Sequence, residues 1–490
     1  MAPLSESVLA QTKAGSLRGI LEADGIARFL GIPYAQAPFG PLRFAAPQPA
    51  QGWDGVRDAI EFGPTAPKPD AEHSQSQLDF LDDPSIAGEE CLNLNVWTPD
   101  RTGTGLPVMV WIHGGAYLSG SSAQPLYDGT SFARDGVVFV SPNYRLGVEG
   151  FGLLPDAPSN RGVLDLLLAL EWVRDNVAAF GGDPDNVTVF GESAGAGLVL
   201  ALLALDRGLF RRAVISSSAL TASLEPADAA KVVANIAEQA GTAPTAEGLA
   251  AVDPQRLANL SKLAWLEMAT HPDPQRWGAT TVGAGMTFTT AHDGELLARP
   301  PLQLILEGAG SGVELLIGCT SDEMLALVAG DGPGDEKTVE RASGFLQLAG
   351  APATAYAEYE RICGTPSAVL AAAMRDAMFL MPALAIAESR QDAATFVYEF
   401  GWPSPIPGLG AAHGLDIGFF FDNLGHSPIE GPTPPAQVAS DMHGAFVRFA
   451  VTGDPGWSRY DTQTHPVMLF ADGGGVINDP HSAERHVWNG

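Results

Sequence analysis

The stretch Asn186-Val-Thr-Val-Phe-Gly-Glu-Ser-Ala-Gly-Ala-Gly197 decides the fold that we predict for this chain. Residues 187–190 are β-branched or aromatic and are typical of a strand, which ends at Gly191. From Ala194 onward the residues are small and tolerate a helix. Ser193 therefore lies on an abrupt strand-to-helix turn, which strains its backbone and directs its hydroxyl away from the sheet. The pattern predicts a nucleophilic serine at position 193.

Small residues two positions before and after Ser193 are needed for so tight a turn, and Gly191 and Gly195 supply them. The spacing Gly-x-Ser-x-Gly is weak support by itself, because the chain contains 56 glycines. Its strand–turn–helix context gives it weight. The helix after Ser193 also directs free N–H groups and its positive dipole end toward a developing oxyanion. The alternative interpretation is a glycine-rich strand exit without chemistry.

Composition limits the classes of partner. The chain has 490 residues, of which 46% are hydrophobic, so it can bury a large core. No linker or shift in composition divides it, and we predict a single domain over residues 1–490 with helical insertions near 225–275 and 335–392. The net charge of −30 repels phosphate backbones and anionic membranes, so we expect neither nucleic acid nor a membrane as a partner. The oligomeric state stays open.

Cysteine content and targeting signals point to the compartment. Three cysteines are too few for a disulfide framework and show no C-x-x-C spacing for a metal. The first seven residues lack a basic segment followed by an apolar one, and no uninterrupted apolar run reaches about 18 residues. We expect a soluble, cytoplasmic protein.

Buried strands and a crossover helix predict the α/β fold class. The apolar runs 107–112 and 137–141 suit strands that are covered on both faces. Apolar residues recur at helical spacing over 162–176, directly before the strand that leads to Ser193. This order predicts a right-handed crossover in a doubly wound, mostly parallel, twisted sheet with helices on both faces. The other predicted elements are two short antiparallel strands at 12–20 and 25–32, further strands at 213–216, 313–318, 395–400 and 467–470, and a closing helix at 438–451.

Further motifs lie along the chain in a recognisable order. They are Gly31-Ile-Pro-Tyr-Ala35, Pro41-Leu-Arg-Phe44, Glu89-Glu-Cys-Leu-Asn-Leu-Asn-Val-Trp97, His113-Gly-Gly-Ala-Tyr117 and Asn143-Tyr-Arg-Leu-Gly147. With the segment around Ser193, they resemble the type-B carboxylesterases, the α/β-hydrolases that include the bacterial p-nitrobenzyl esterases and the cholinesterases. The resemblance covers nearly the whole chain. It implies an α/β-hydrolase fold with a gorge formed by helical insertions, a small-molecule ester as substrate, no metal or organic cofactor, and an ion pair between Arg43 and Glu89.

A serine nucleophile needs a base that a third group orients. In α/β-hydrolases the chain order is serine, acid, histidine. The histidines that fit this order are His413, His426, His443, His465, His481 and His486. His413 follows a predicted strand and a glycine-rich loop, as a residue that must reach a site does. Its segment is also similar to the catalytic histidine segment of the family, so we predict His413 as the base.

Two carboxylates, Asp322 and Glu323, follow the predicted strand at 313–318, at the sheet edge where α/β folds bind ligands. Spacing alone does not separate them. By resemblance, Glu323 is the catalytic acid and Asp322 fixes the loop. Asp416 and Ser217 resemble family positions that support the triad from behind.

A glycine-rich turn can offer consecutive N–H groups to a tetrahedral oxyanion. By resemblance, the N–H groups of Gly115, Ala116 and Ala194 form this oxyanion hole. Ala116 stands where the commonest form of the motif has a third glycine, and motifs of this kind leave room for bulky alcohols. Secreted relatives pair the cysteine at position 91 with one upstream, but residues 62–68 contain none, so we predict that Cys91 is free.

The sequence therefore predicts a serine hydrolase that cleaves carboxylic esters through an acyl-enzyme. In this interpretation Ser193 attacks the acyl carbon, His413 transfers the proton and Glu323 orients the imidazole. A hydrolase of carbamates or amides on the same triad is the nearer alternative, because the pocket sets the substrate. A binding protein without catalysis is the more distant one.

Overall fold

The computed structural model describes residues 6–70, 82–101, 103–328, 336–390 and 392–489. Within them, thirteen strands form one sheet in the order β1-β2-β3-β5-β7-β6-β8-β9-β10-β11-β12-β13, with β4 beside β2. The strands are β1 Glu6–Gln11, β2 Ser16–Leu21, β3 Ala27–Pro33, β4 Val56–Asp58, β5 Asn93–Thr98, β6 Leu106–Ile112, β7 Val138–Pro142, β8 Gly182–Glu192, β9 Arg212–Ser216, β10 Glu314–Thr320, β11 Thr395–Phe400, β12 Pro466–Phe470 and β13 Gly475–Asn478.

The centre of the sheet is parallel from β7 to β12, which confirms the predicted α/β class with a mostly parallel sheet. Both edges are antiparallel: β1, β2, β3, β5 and β7 pair in turn on one side and β12 with β13 on the other. Antiparallel neighbours need only a short turn. The predicted strand at 12–20 is accordingly wrong at its start, because residues 12–15 form the turn from β1 to β2, in which the Gly15 carbonyl accepts from Thr12 N–H at 3.0 Å.

Helices connect and cover these strands. They are α1 Thr130–Arg134, α2 Gly147–Phe151, α3 Arg161–Asn176, α4 Ala194–Leu205, α5 Pro226–Ala240, α6 Ala246–Ala250, α7 Pro254–Thr270, α8 Pro274–Trp277, α9 Ala279–Ala284, α10 Pro301–Leu306, α11 Leu325–Val328, α12 Glu336–Leu348, α13 Ala355–Cys363, α14 Pro366–Arg375, α15 Met381–Ser389, α16 Ile417–Phe420, α17 Ala436–Thr452 and α18 Ser482–Asn489.

Alternation along β6 sends its side chains to the two faces of the sheet. Val108, Val110 and Ile112 pack in one hydrophobic cluster with residues of α3 and α4. Met109 and Trp111 pack in a second cluster with residues of α17. Helices therefore cover both faces, as predicted, and β6 and β8 are buried between them.

The region predicted as a first helical insertion, 225–275, contains α5 to α7 and the start of α8. The second, 335–392, contains α12 to α15, while its residues 335 and 391 lie outside the described residues. A π-helical turn at Asp376–Leu380 joins α14 to α15. The combined helix Pro366–Ser389 is long and apolar enough to cross a membrane by length and composition, and 61% of its apolar window is buried inside the protein. The single-domain organisation stays a prediction.

The predicted ion pair between Arg43 and Glu89 is wrong. Glu89 is exposed. Arg43 instead donates to Glu149 on α2, at 3.0 Å from Nε to Oε1, and both side chains are buried. The neighbouring Glu90 pairs with Arg57 at 2.6 Å. The second carboxylate of the segment 89–97, that of Glu90, therefore forms a surface ion pair, and Arg43 anchors α2 through Glu149.

Candidate active site

Ser193 lies between β8 and α4 with φ of 56° and ψ of −125°, the strained turn that the sequence predicts. Its N–H donates to the Ser216 carbonyl on β9 at 3.1 Å, which fixes the turn against the sheet. A Cβ added at Gly195 would lie 2.0 Å from the Ile112 carbonyl oxygen. A Cβ at Gly191 would lie 2.6 Å from Gly195. Both glycines are therefore required by close backbone approach.

His413 contacts both other members of the predicted triad. Its Nε2 lies 2.9 Å from Ser193 Oγ, and its Nδ1 lies 2.5 Å from Glu323 Oε2. The other oxygen of Glu323 accepts the Thr320 N–H at 2.8 Å, and the side chain is buried. Three other candidate histidines have different partners: His443 contacts Asp135, His465 contacts Tyr460 and His481 contacts Glu399.

Asp322 occupies a different position from Glu323. Its Oδ2 accepts the Ala411 N–H at 2.9 Å, and its own N–H donates to the Ala411 carbonyl at 3.1 Å. A Cβ at Gly410 would lie 2.4 Å from Asp322 Oδ2. Asp322 therefore joins the loop after β10 to the loop that carries His413.

The predicted oxyanion donors lie on turns beside Ser193. A Cβ at Gly114 would lie 3.2 Å from Ser193 Cβ, so the turn after β6 passes directly over the nucleophile. Gly115 and Ala116 have φ of 112° and 54°. Within the residues that the structure describes, the N–H groups of Gly115, Ala116 and Ala194 donate to no acceptor. The three donors are available to a ligand.

Asp416 is buried behind the triad, where its Oδ2 accepts the Ser216 hydroxyl at 2.8 Å. The predicted companion, Ser217, is the next residue. Its N–H donates to the Gly318 carbonyl at 2.9 Å, and its hydroxyl has no hydrogen-bond partner among the described residues. The structure thus brings Ser216, rather than Ser217, to Asp416.

Glu192 is a residue of the site that sequence reasoning missed. It is buried, and its Oε1 lies 3.3 Å from His413 Nε2. Burial raises the pKa of Glu192 to about 8 against the opposing effect of His413, and Asp416 and Glu323 make smaller contributions in the same direction as burial. Burial, together with Glu323, also raises the pKa of Asp416 to about 7. The available signal was a carboxylate at the end of an otherwise apolar strand, directly before the nucleophile.

The charge on His413 depends on these neighbours. Burial lowers the pKa of His413, but Glu192, Glu323 and Asp416 outweigh it and raise the pKa above its ordinary value. Glu192 and His413 therefore titrate as a coupled pair, because the charge of each favours the charged form of the other. Among the described residues, no group of three or more His, Cys, Asp or Glu side chains is placed to hold a metal ion.

Comparison with known proteins gives matches over almost the whole chain. Residues 6–488 match the family model described as the carboxylesterase family. The chain is 34% identical to the para-nitrobenzyl esterase of Bacillus subtilis (strain 168), over 97% of each chain. It is 33% identical to the phenmedipham hydrolase of Pseudarthrobacter oxydans, over 98% of each. The crystal structure of the Geobacillus stearothermophilus carboxylesterase EST55 has a TM-score of 0.83 at 34% identity and covers 98% of this chain and 99% of its own.

Proposed function

The chain belongs to the carboxylesterase family and is a serine hydrolase of carboxylic esters, and we propose that Ser193, His413 and Glu323 perform the hydrolysis. The relatives named as esterases favour esters over the alternative of carbamates or amides. The observation that carries the assignment is the continuous contact from Ser193 Oγ through His413 to Glu323. A hydroxyl, an imidazole and a carboxylate in this order form a nucleophile, a base and an orienting group.

In the first step, Ser193 Oγ attacks the acyl carbon while His413 Nε2 takes the hydroxyl proton. The tetrahedral intermediate collapses, the bond to the alkoxy oxygen breaks, and the alcohol leaves with the proton from His413. Water then attacks the acyl-enzyme by the same route and releases the carboxylic acid. Each of the two attacks passes through a tetrahedral intermediate with a negatively charged oxygen. The N–H groups of Gly115, Ala116 and Ala194 stabilise this oxyanion and so lower the barrier of both steps.

A fluorophosphonate probe tests the nucleophile. Ser193 Oγ attacks the phosphorus, fluoride leaves, and the proton passes to His413, so one phosphonyl group remains on the enzyme. Digestion and mass spectrometry are expected to find one label per chain, on the peptide that contains Ser193. Loss of esterase activity should parallel labelling. A label on any other residue, with activity lost in parallel, contradicts the assignment.

The value of kcat/KM is expected to rise with pH, because only the neutral imidazole of His413 accepts a proton. Since the carboxylates around His413 raise its pKa, the midpoint should lie above the ordinary histidine value of about 6.5. Glu192→Gln removes an ionisable group 3.3 Å from Nε2 and should move the midpoint to lower pH. Rates with p-nitrophenyl butyrate at closely spaced pH values measure both effects. A rate that is flat from about pH 5 to about pH 8 in the native enzyme contradicts the role of His413.

Ala116 leads to a prediction about the alcohol part of the substrate. We expect slow hydrolysis of some esters of tertiary alcohols, such as tert-butyl acetate, and a higher rate on them, relative to p-nitrophenyl butyrate, in Ala116→Gly. Ala116 has φ of 54°, a backbone conformation that costs alanine about 1 kcal/mol and glycine almost nothing. Glycine at this position should therefore not destabilise the folded enzyme. The melting temperature of the variant should therefore not fall. If neither enzyme hydrolyses tertiary esters while p-nitrophenyl butyrate is turned over normally, other residues set the alcohol size.

A cytoplasmic location is also part of the proposal. Cys91, Cys319 and Cys363 are free, and burial raises the pKa of each thiol. Free thiols suit a reducing compartment. Esterase activity that depends on this chain is expected in the soluble cytoplasmic fraction of the source cells. Activity confined to the medium or the membrane fraction contradicts the location.

A further inference from the structure

A buried ion pair lies beside the turn that carries the proposed oxyanion donors. The Lys68 ammonium contacts Asp83 Oδ1 and donates to the Pro84 carbonyl at 2.7 Å. The Lys68 side chain is only 4% exposed and that of Asp83 20%. Burial lowers the pKa of Lys68, and Asp83 opposes that effect. Two charges taken this far out of water require a partner with good geometry.

The same carboxylate reaches the backbone after the oxyanion turn. Asp83 Oδ2 accepts the Gly120 N–H at 2.8 Å, and Asp83 Oδ1 accepts the Ser121 hydroxyl at 3.1 Å. Hydrogen bonds to an ionised acceptor are about twice as strong as neutral ones. One carboxylate thus joins Lys68 to the segment that begins at Gly120.

Hydrogen bonds within the turn and the packing of Gly120 connect the two ends of the segment 114–120. The Gly115 carbonyl accepts the N–H groups of Leu118 and Ser119, at 3.0 and 2.9 Å. A Cβ at Gly120 would lie 2.4 Å from the Gly114 carbonyl oxygen and 2.5 Å from His113 Nδ1. Gly120 therefore packs directly against the residues that precede the donors, and a displacement of Gly120 moves the whole turn.

The turn also needs support from outside. Ala116 and Tyr117 have φ of 54° and 62°. Residues other than glycine persist in this region only when their surroundings hold them there. The bond from Gly120 to Asp83 is one such restraint, and it acts at the end of the turn.

We propose that Lys68 and Asp83 are positioning residues for ester hydrolysis: their ion pair holds Gly120 and thereby fixes the N–H groups of Gly115 and Ala116 where the oxyanion forms. This inference rests on the proposed assignment of the oxyanion donors. A positioning residue acts on the transition state more than on the bound ester. The proposed role therefore predicts a change in kcat, which an ion pair that contributes only to the stability of the fold does not predict.

The variant Asp83→Ala tests the proposal. We expect kcat with p-nitrophenyl butyrate to fall about tenfold to a hundredfold, since complete loss of one donor costs about a hundredfold or more. KM should change by less than about threefold, because an interaction made only in the transition state lowers kcat and kcat/KM together. The affinity for a trifluoromethyl ketone, which forms a tetrahedral adduct with Ser193, should fall by the same factor as kcat.

A second variant guards against misfolding. Asp83→Ala leaves the Lys68 ammonium buried without its partner, whereas Lys68→Met/Asp83→Ala removes both charges. Both variants lack the hydrogen bond that Gly120 donates to Asp83, so the double variant is expected to show the same loss of kcat with less loss of melting temperature.

The matched control is Glu314→Ala. Glu314 pairs with the buried Arg212 at 2.6 Å, with side chains 29% and 2% exposed. This pair joins the first residues of β9 and β10, at the opposite end of the strands from the site. We expect a lower melting temperature and an unchanged kcat.

Two results overturn the proposal. One is a folded double variant whose kcat and ketone affinity lie within about twofold of the native enzyme. The other is an equal loss of kcat in Glu314→Ala, which shows that any lost ion pair slows the enzyme. A failure of the proposed function is a separate result, because it is seen as the absence of a fluorophosphonate label on Ser193 in the native enzyme.

Discussion

Ser193→Ala and His413→Ala are each expected to lose nearly all ester hydrolysis, a fall in kcat on the order of 10⁵- to 10⁶-fold. Without Ser193 Oγ no acyl-enzyme forms, and without His413 the hydroxyl 2.9 Å from Nε2 keeps its proton. Initial rates with p-nitrophenyl butyrate measure the loss. Circular dichroism melting should show that both variants fold.

The double variant is expected to lose little more than either single variant, because residues that act as a unit are not additive. The matched control is His465→Ala. His465 fits the same chain order but contacts Tyr460 instead of the serine, so its removal should leave kcat unchanged. A double variant far slower than both singles, or a large loss in His465→Ala, shows that the wrong residues have been paired.

The sequence predicts the structure best where neighbouring residues allow only one local conformation. A serine between a buried strand and a helix, with glycines two positions away, fits only a tight turn, and the backbone contacts of Gly195 explain why. The parallel centre of the sheet followed from buried runs joined by a helix. Alternation broken by glycine also predicts the two antiparallel strands at 12–20 and 25–32, and β2 and β3 do pair antiparallel, but such short segments do not show where a turn interrupts them.

Contacts between loops lay beyond local reasoning. Arg43 forms its ion pair with Glu149 instead of Glu89, because the partner of Arg43 depends on where α2 packs. Ser216 and Ser217 are adjacent serines at the end of β9, and only the structure shows which hydroxyl meets Asp416. Glu192 escaped notice because its role depends on the loop of His413, more than 200 residues away in the chain.

The choice between Asp322 and Glu323 is a case of the same kind, and it gives the second large expected effect. Glu323→Gln is expected to lower kcat about 10³- to 10⁴-fold. The amide loses the charge that stabilises the imidazolium, and its NH₂ group favours the wrong tautomer of His413. The pKa of His413 should fall as well, so the rise of kcat/KM with pH should begin at lower pH than in the native enzyme.

Asp322→Asn is the matched control for Glu323→Gln. The asparagine carbonyl can still accept the Ala411 N–H, so the loop of His413 keeps its anchor. We expect a loss of kcat of at most about tenfold, since the change displaces the imidazole slightly and removes no group that contacts it. Steady-state rates for both variants, measured on the plateau of each pH profile, separate the two carboxylates. Because both variants replace a carboxylate by its amide, size and hydrogen-bonding capacity change equally, and a larger loss in Asp322→Asn moves the catalytic acid to Asp322.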